Sequence, residues 1–396
     1  MRFSFFDAHV WAIGCIATLL CFAPASAQED QKEQPKLLDD IHETIVRLPV
    51  TVTLASGRPH SGQIVVTHYR PDGNGPFPLA VINHGRTNDR DKRAEPARWR
   101  LTGVARYFVR RGFAVLVLTR LGYGDAGLEP DPEFSGRGCN DRDVNPGVAA
   151  LIRETGAALD FARTQPWADS RRVILVGQSY GGLGTMAATG KNLPGVIAAI
   201  NFSGGSGGNP KEHPTRPCSP EGITSVMREA GSRARVPTLW LYAENDHFWG
   251  KDWPRQWYAA YTGAGGRADM SMVPPIGDEG HQLLTRGFAT WRPLVDRFLD
   301  KAGFPTPRSK DAPPSTGFAP LDDASRLPYV KDEVKSDGYQ KFLNSDIPRA
   351  FAISPSGTWY WRKGPDAPKQ ALEACQKTSR TPCRLYAVDD AVVWTP

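Results

Sequence analysis

The stretch that decides the fold is residues 173–182, which read VILVGQSYGG. Its leading aliphatic residues predict a strand buried on both faces, and the small residues after Gly181 are compatible with a helix. Between them stands GQSYG, a match to G-x-S-x-G in the strand, sharp turn and helix context of a nucleophile elbow. The stretch therefore predicts an α/β sheet with Ser179 exposed as a nucleophile at the end of a buried strand.

A second G-x-S-x-G match lies at 204–208. It also follows an apolar run, but it continues into Asn209 and Pro210 instead of into a helix. Because the motif has meaning only in its structural context, we interpret 204–208 as a flexible loop and Ser179 as the nucleophile.

A serine hydroxyl is a weak nucleophile, and it needs a base to take its proton and a carboxylate to orient that base. In the chain order of this motif the acid follows the serine, and the histidine follows the acid. Asp246 comes after the apolar run 238–243, with Glu244 as the alternative acid. Of the eight histidines, only His281 follows the acid without adjoining it. Ser179, Asp246 and His281 are therefore the predicted catalytic triad.

An oxyanion that forms during acyl transfer needs two fixed N–H donors. One is expected from the residue after the nucleophile, Tyr180, and the other from a loop after an early strand. The sequence Asn83-His84-Gly85-Arg86 follows such a strand, and its glycine lets the backbone turn toward the substrate. We expect the N–H groups of Tyr180 and Arg86 to form the oxyanion hole and His84 to hold the loop.

Apolar runs predict the strands of a mostly parallel sheet flanked by helices. They lie at 79–83, 113–119, 173–177, 196–202 and 238–243, and an antiparallel pair is expected at 50–54 and 64–69. Proline accumulates at 304–320, which indicates a linker. We therefore predict an α/β catalytic domain at 28–303, the linker, and a small disulfide-containing α+β domain at 321–396. Its strands are expected at 353–361 and 384–394, and its helix at 368–377.

The first 27 residues have the pattern of a signal peptide, with an early Arg2, an apolar stretch and the cleavage site Ala25-Ser26-Ala27. We expect a soluble periplasmic or secreted protein without stable membrane insertion after cleavage.

An oxidising compartment favours disulfides, and the mature chain keeps Cys139, Cys218, Cys375 and Cys383. Four cysteines allow three pairings. The closeness of Cys375 to Cys383 favours that pair and leaves Cys139 for Cys218, and no zinc spacing is present.

Composition excludes several classes of protein. With 396 residues, 40% hydrophobic and 23% charged, the chain is neither disordered nor collagen-like. Its net charge of +6 is spread along the sequence without a basic cluster, so we expect no nucleic-acid partner.

With these motifs, the chain resembles the α/β-hydrolase superfamily and, within it, secreted members of the dienelactone hydrolase-related group. The resemblance covers most of 45–299, and it also rests on Arg120-Leu121-Gly122-Tyr123-Gly124, 239–247 and 275–281. It implies hydrolysis of a small-molecule carboxylic ester through an acyl-enzyme, without a cofactor or metal. Dienelactone hydrolase itself uses a cysteine nucleophile, whereas this chain has Ser179, which favours ordinary esters. The tail from 348 to 390 is similar to a cysteine-paired module of bacterial exported proteins, which implies a structural or docking role.

The substrate pocket is expected near the triad. Phe248 and Trp249 follow the acid and predict an aromatic wall. Arg120 and Tyr123 are further candidates for substrate binding, since an arginine at a strand end can hold an anionic group. Two alternatives to an esterase stay open, namely a small serine peptidase or amidase on the same fold, and a non-catalytic envelope binding protein.

Overall fold

The computed structural model describes residues 36–396 except 135, 137, 140–141, 306–308, 310, 346 and 365. The predicted signal peptide and its cleavage site after Ala27 lie outside the described residues. Among the helices that are described, none combines the length and the apolar character needed to cross a bilayer.

The larger sheet has eight strands in the order β1-β2-β4-β3-β5-β6-β7-β8. The first hairpin, β1 with β2, is antiparallel, β2 is antiparallel to β4, and the remaining neighbours are parallel. The α/β class with a mostly parallel sheet is thereby confirmed. The strands are β1 (Thr44–Thr53), β2 (Pro59–Tyr69), β3 (Phe77–Asn83), β4 (Ala114–Thr119), β5 (Ala168–Gln178), β6 (Val196–Phe202), β7 (Thr238–Ala243) and β8 (Ala268–Val273).

Helices cover both faces of this sheet because side chains of its central strands alternate between two cores. Leu79 and Val81 of β3 belong to one apolar cluster, and Ala80 and Ile82 belong to the other. The helices of this part are α1 (Arg90–Ala94), α2 (Thr102–Arg110), α3 (Asn145–Arg163), α4 (Tyr180–Thr189), α5 (Pro220–Arg233), α6 (Asp252–Gly263), α7 (Leu283–Arg286) and α8 (Phe288–Lys301).

A second, antiparallel sheet in the order β10-β9-β11-β12 follows toward the C-terminus. The strand expected at 353–361 is wrong, because a turn in which Ser354 N–H donates to the Thr358 carbonyl at 2.9 Å separates two strands. The elements are α9 (Tyr339–Asn344), β9 (Arg349–Ile353), β10 (Trp359–Lys363), α10 (Ala367–Thr378), β11 (Arg384–Val388) and β12 (Ala391–Val392).

Both sheets belong to one compact unit, Leu37–Pro396. Arg292 of α8 is buried and donates to the Asn344 carbonyl at 3.1 Å, which joins α8 to the end of α9. The predicted division into a catalytic domain and a smaller C-terminal domain stays a prediction.

Two disulfides are present, and they are the pairs favoured by the sequence. Cys139 is bonded to Cys218 across 79 residues, and Cys375 is bonded to Cys383 across 8 residues. The Ser219 hydroxyl also donates to the Cys139 carbonyl at 2.9 Å, so the first disulfide fastens two loops that are distant in sequence.

Loop length sets the first testable prediction. Loss of the longer cross-link in Cys139→Ala/Cys218→Ala should lower the free energy of unfolding by about 4 kcal/mol, because the unfolded chain regains the entropy of a large loop. The matched variant Cys375→Ala/Cys383→Ala should lose only about 2.5 kcal/mol, since its loop is short. Denaturant titrations of both variants measure the difference. A larger loss from the second pair would contradict this explanation.

Candidate active site

Ser179 stands at the sharp turn between β5 and α4, with backbone φ 56° and ψ −122°. A positive φ is costly for a residue with a Cβ atom, so the surrounding structure must hold the turn. A Cβ on Gly177 would lie 2.1 Å from the Gly181 carbonyl oxygen, and one on Gly181 would lie 2.3 Å from the Asn83 carbonyl oxygen. Both glycines of the motif are therefore required by the close approach of three backbone segments around the serine.

The structure brings the three predicted triad residues together. His281 Nε2 lies 2.9 Å from Ser179 Oγ, and His281 Nδ1 lies 3.0 Å from Asp246 Oδ2. A carboxylate can only accept hydrogen bonds, so Nδ1 carries the proton and Nε2 is free to accept the serine hydroxyl. All three side chains are buried by more than nine-tenths of their surface. The arrangement can transfer a proton from the serine to the imidazole.

The Asp246 carboxylate is fixed by backbone hydrogen bonds to Oδ1, the oxygen that does not face His281. Oδ1 accepts the backbone N–H groups of Phe248 at 2.9 Å and Trp249 at 3.2 Å. These bonds leave Oδ2 turned toward His281. Glu244, the alternative acid, is instead half-exposed and lies 3.3 Å from the Lys251 ammonium group.

The loop that carries His281 is anchored on both sides. Glu279 Oε1 accepts the backbone N–H of His281 at 2.9 Å and that of His247 at 3.1 Å. Gln178, beside the nucleophile, donates to the His281 carbonyl at 3.1 Å. The Phe248 ring stacks on the imidazole with 3.9 Å between ring centroids. The imidazole is therefore fixed before any substrate arrives.

The loop after β3 lies directly against the nucleophile. A Cβ on Gly85 would be 3.2 Å from Ser179 Cβ, so any larger residue would press on the serine. The fully buried His84 ring stacks on Trp99 at 4.5 Å, and its Nδ1 lies 2.6 Å from the Gly85 carbonyl oxygen. Burial lowers the pKa of His84 well below its usual value, and the charge of Arg120 lowers it further. His84 is therefore a neutral donor that holds the loop beside Ser179.

The order of these parts along the sheet is diagnostic. Ser179 follows β5, Asp246 follows β7, and His281 follows the edge strand β8. The strand order is β1-β2-β4-β3-β5-β6-β7-β8, and the turn at Ser179 follows β5, a central strand of this sheet. The chain has the α/β-hydrolase fold.

No protein-family model matches the chain. A curated relative is the quorum-quenching protein AidA of Acinetobacter baumannii (strain MDR-ZJ06), which is 30% identical over 140 residues. The match spans 35% of this chain and 40% of the relative, so it covers less than half of either protein.

Several solved structures are similar to this chain. An acylaminoacyl peptidase of Pyrococcus horikoshii is 15% identical, with 70% of this chain and 44% of that chain covered and a TM-score of 0.49. An acetyl xylan esterase from Paenibacillus sp. R4 is 18% identical, with 66% and 89% covered and a TM-score of 0.43. An esterase of Pyrococcus furiosus is 12% identical, with 66% and 90% covered and a TM-score of 0.42.

The side chain of Arg86 is anchored by two carboxylates, Asp131 and Glu133. Its guanidinium donates to the two oxygens of Asp131 at 3.0 and 2.8 Å and to Glu133 at 3.3 Å. Burial alone would lower the pKa of Arg86, but the bond to Asp131 and the neighbouring negative charges raise it above its usual range. Arg86 is therefore a permanent, paired cation, and its backbone is fixed by that pairing.

The structure does not bring Arg120 and Tyr123, which were expected to bind substrate, to the cleft beside Ser179. Arg120 is fully buried, where it donates to Glu133 at 2.6 Å and to the His84 carbonyl at 2.8 Å. Tyr123 is also buried, and its hydroxyl donates to Glu133 at 2.8 Å. Both side chains donate to the same buried carboxylate, Glu133, and neither lines the cleft beside Ser179.

A cleft of about 410 Å³ opens beside Ser179. Phe248 and Trp249 line it, as expected for the aromatic wall, and so do Arg86 and Tyr180. Residues 205–211, which include all of the second G-x-S-x-G match except Gly204, form another side of it. That loop is therefore a wall of the cleft.

Two residues of the site were missed from the sequence. Arg142 lines the cleft, and Glu279 fixes the histidine loop through its carboxylate. Arg142 lies in an irregular segment where no periodicity marks a position as facing the cleft. Glu279 directly precedes Gly280 and His281, and that adjacency was a usable signal.

Among the described residues, one group of three potential metal ligands lies close together, namely Cys139, His213 and Cys218. The two sulfur atoms are joined in a disulfide, so they are not available as thiolates.

Glu154 of α3 gives a pH-dependent prediction. Its carboxyl is buried and accepts the Leu121 N–H at 2.8 Å. Burial raises the pKa of Glu154 to about 8, although the charge of Arg120 opposes the rise. The unfolded chain loses this proton near pH 4.5 and the folded chain keeps it up to about pH 8. Across that window the contribution of Glu154 to the free energy of unfolding should therefore fall by about 1.4 kcal/mol per pH unit.

The isosteric variant Glu154→Gln keeps an acceptor for Leu121 N–H and removes the titration. Denaturant unfolding of both proteins at pH 5, 6.5 and 8 isolates the effect, because all other groups titrate in both. The stability of the wild type relative to the variant should decrease steadily with pH. Parallel profiles would show that the buried carboxyl does not stay protonated.

Proposed function

We propose that the protein is an exported serine hydrolase that cleaves carboxylic esters through an acyl-enzyme on Ser179. The observation that carries the proposal is the unbroken relay from Ser179 Oγ to His281 Nε2 at 2.9 Å and from His281 Nδ1 to Asp246 at 3.0 Å. A nucleophile, a base and an orienting acid at hydrogen-bonding distance are the arrangement that acyl transfer requires.

In the first half-reaction, Ser179 Oγ attacks the ester carbonyl carbon while His281 Nε2 takes the hydroxyl proton. Asp246 stabilises the imidazolium cation through Nδ1–H. The carbonyl oxygen becomes an oxyanion, which the N–H groups of Tyr180 and Arg86 would bind. Tyr180 is the first residue of α4, so its N–H also carries the positive end of the helix dipole.

Collapse of this intermediate breaks the bond between the carbonyl carbon and the leaving oxygen. His281 Nε2 gives its proton to that oxygen, and the alcohol departs. Water then attacks the acyl carbon, loses its proton to Nε2, and releases the acid together with a regenerated Ser179 hydroxyl. No redox change and no external cofactor is needed for this balance.

Export is the second part of the proposal. The predicted signal peptide supports it, and two disulfides are typical of an oxidising compartment outside the cytoplasm. Cell fractionation followed by determination of the mature N-terminus tests whether cleavage occurs after Ala27.

The first experiment compares p-nitrophenyl acetate and butyrate hydrolysis by the wild type and by Ser179→Ala. The variant should lose about 10³-fold or more in kcat, because the nucleophile is gone. Ser206→Ala is the matched control, since Ser206 occupies the same motif in the other cleft-lining loop. It should keep its activity within about tenfold. The reverse result would reassign the nucleophile.

Two further measurements separate the alternatives. Turnover of p-nitroanilides comparable to that of esters would favour a peptidase or amidase. A wild type that hydrolyses neither substrate and resists labelling by a fluorophosphonate would favour a non-catalytic binding protein.

Asp131 generates another prediction, since it clamps the side chain of Arg86. Asp131→Asn removes the charge of the clamp, so the Arg86 N–H is held less firmly at the oxyanion. We expect kcat for p-nitrophenyl acetate to fall by about tenfold, with KM nearly unchanged, because the donor acts mainly in the transition state. Asp278→Asn, at an exposed position near the histidine loop, is the control. A change confined to KM would contradict the positioning role.

A further inference from the structure

The C-terminal sheet has one covered edge and one open edge. At the β12 edge, the Thr316 N–H donates to the Val392 carbonyl at 3.0 Å, and the Thr316 hydroxyl donates to the Trp394 carbonyl at 2.7 Å. At the opposite edge, β10 pairs only with β9 among the described residues. The preceding chain therefore closes one side of the sheet and leaves β10 available.

The pairing register shows which backbone groups of β10 point outward. Ser354 N–H donates to the Thr358 carbonyl, so the bonded pairs with β9 continue at Tyr360 and Arg362. In an antiparallel ladder the bonded and non-bonded residues alternate. The N–H and C=O groups of Trp359, Trp361 and Lys363 therefore face the open edge. This is the pattern that a further strand would pair with.

Concave surfaces lie along this edge. One, of about 740 Å³, is lined by residues 357–363 together with Thr378. The other, of about 390 Å³, is lined by Tyr360, Arg362 and residues of α10. Successive side chains of an added strand would point to opposite faces of the sheet and could enter such surfaces alternately.

The charge of the edge selects the partner. Arg362, Lys363 and Lys377 are exposed here, whereas Glu373 is the one acidic residue in the lining of the two concave surfaces. The Arg362 guanidinium lies over the Tyr360 ring at 5.3 Å and donates to the Trp361 carbonyl at 2.8 Å. A carboxylate would compete for that guanidinium and free the carbonyl for pairing. A second copy of the chain would instead bring two sets of Arg362 and Lys363 onto one short ladder, where like charges repel.

From these observations we propose that β10 binds an extended acidic peptide segment of a partner protein as a fifth strand of the C-terminal sheet. Backbone hydrogen bonds from Trp359, Trp361 and Lys363 provide the pairing, and Arg362 and Lys363 provide the preference for acidic side chains. This surface contains no triad residue, so the binding proposal can be tested independently of the proposed hydrolase activity.

Fluorescence anisotropy of a labelled six-residue peptide of alternating glutamate and valine tests the proposal on the intact chain. The matched probe replaces each glutamate by lysine. We expect the acidic peptide to bind at least tenfold more tightly than the basic one. The double variant Arg362→Glu/Lys363→Glu should reverse that preference while hydrolysis of p-nitrophenyl acetate stays unchanged.

Backbone pairing is tested by modifying the peptide and not the protein, so the result does not depend on whether a protein variant folds. Two peptides carry N-methyl groups on alternate residues, in the two possible phases. Only one phase blocks the N–H groups that face β10, so one peptide should lose binding at least tenfold and the other should retain it. Equal binding of both peptides, equal binding of acidic and basic peptides, or no binding at 1 mM would overturn the proposal. A dimer in sedimentation that Arg362→Glu/Lys363→Glu alters would assign the edge to a second copy instead.

Discussion

The close approach of backbone segments around Ser179 is the constraint on which the site depends. Gly177, Gly181 and Gly85 each stand where a Cβ atom would collide with, or press on, a neighbouring segment. Their absence of side chains lets the ends of β3 and β5 meet at the start of α4. The positive φ of Ser179 is then imposed by its surroundings, and the hydroxyl is directed toward His281. The strain of one residue is therefore offset by the packing of β3, β5 and α4 against one another.

The loops that follow β3 and β4 near Ser179 are joined by one shared carboxylate. Glu133 accepts bonds from Arg86 after β3, from Arg120 after β4, and from the Tyr123 hydroxyl. Buried charges are costly unless they are paired and hydrogen-bonded. Each group of this network therefore disfavours any movement that would separate it from its partners. The loop that presents Arg86 N–H is consequently held by ion pairs on one side and by His84 on the other.

These two features explain how far the sequence could predict the molecule. The elbow was predictable because its strand, turn and helix are contiguous, and the order of acid and histidine follows from the architecture. The burial of Arg120 and Tyr123 against Glu133 was not predictable, because Glu133 comes from an irregular loop whose path leaves no periodic pattern. Strand β8 was missed because it lies at the sheet edge, where its apolar residues are interrupted by polar ones such as the exposed Asp269. It therefore lacks the continuous apolar run that marks the central strands. The interrupted strand at 353–361 had a signal, since Pro355 and Gly357 mark a turn.

In the two G-x-S-x-G segments, the glycines are required for different physical reasons. At 177–181 the glycines admit backbone carbonyl groups, and the serine between them is forced to positive φ. At 204–208 the two motif glycines differ, since a Cβ on Gly204 would lie 2.1 Å from the Asn201 side-chain oxygen and one on Gly208 would lie 2.8 Å from the Phe248 ring. Gly205 between them admits the Trp249 ring, which a Cβ would approach to 2.9 Å. Those rings pack on His281, so the second segment shapes the cleft around the imidazole rather than presenting a nucleophile. The chemistry of the motif therefore comes from what approaches its glycines and not from the pattern itself.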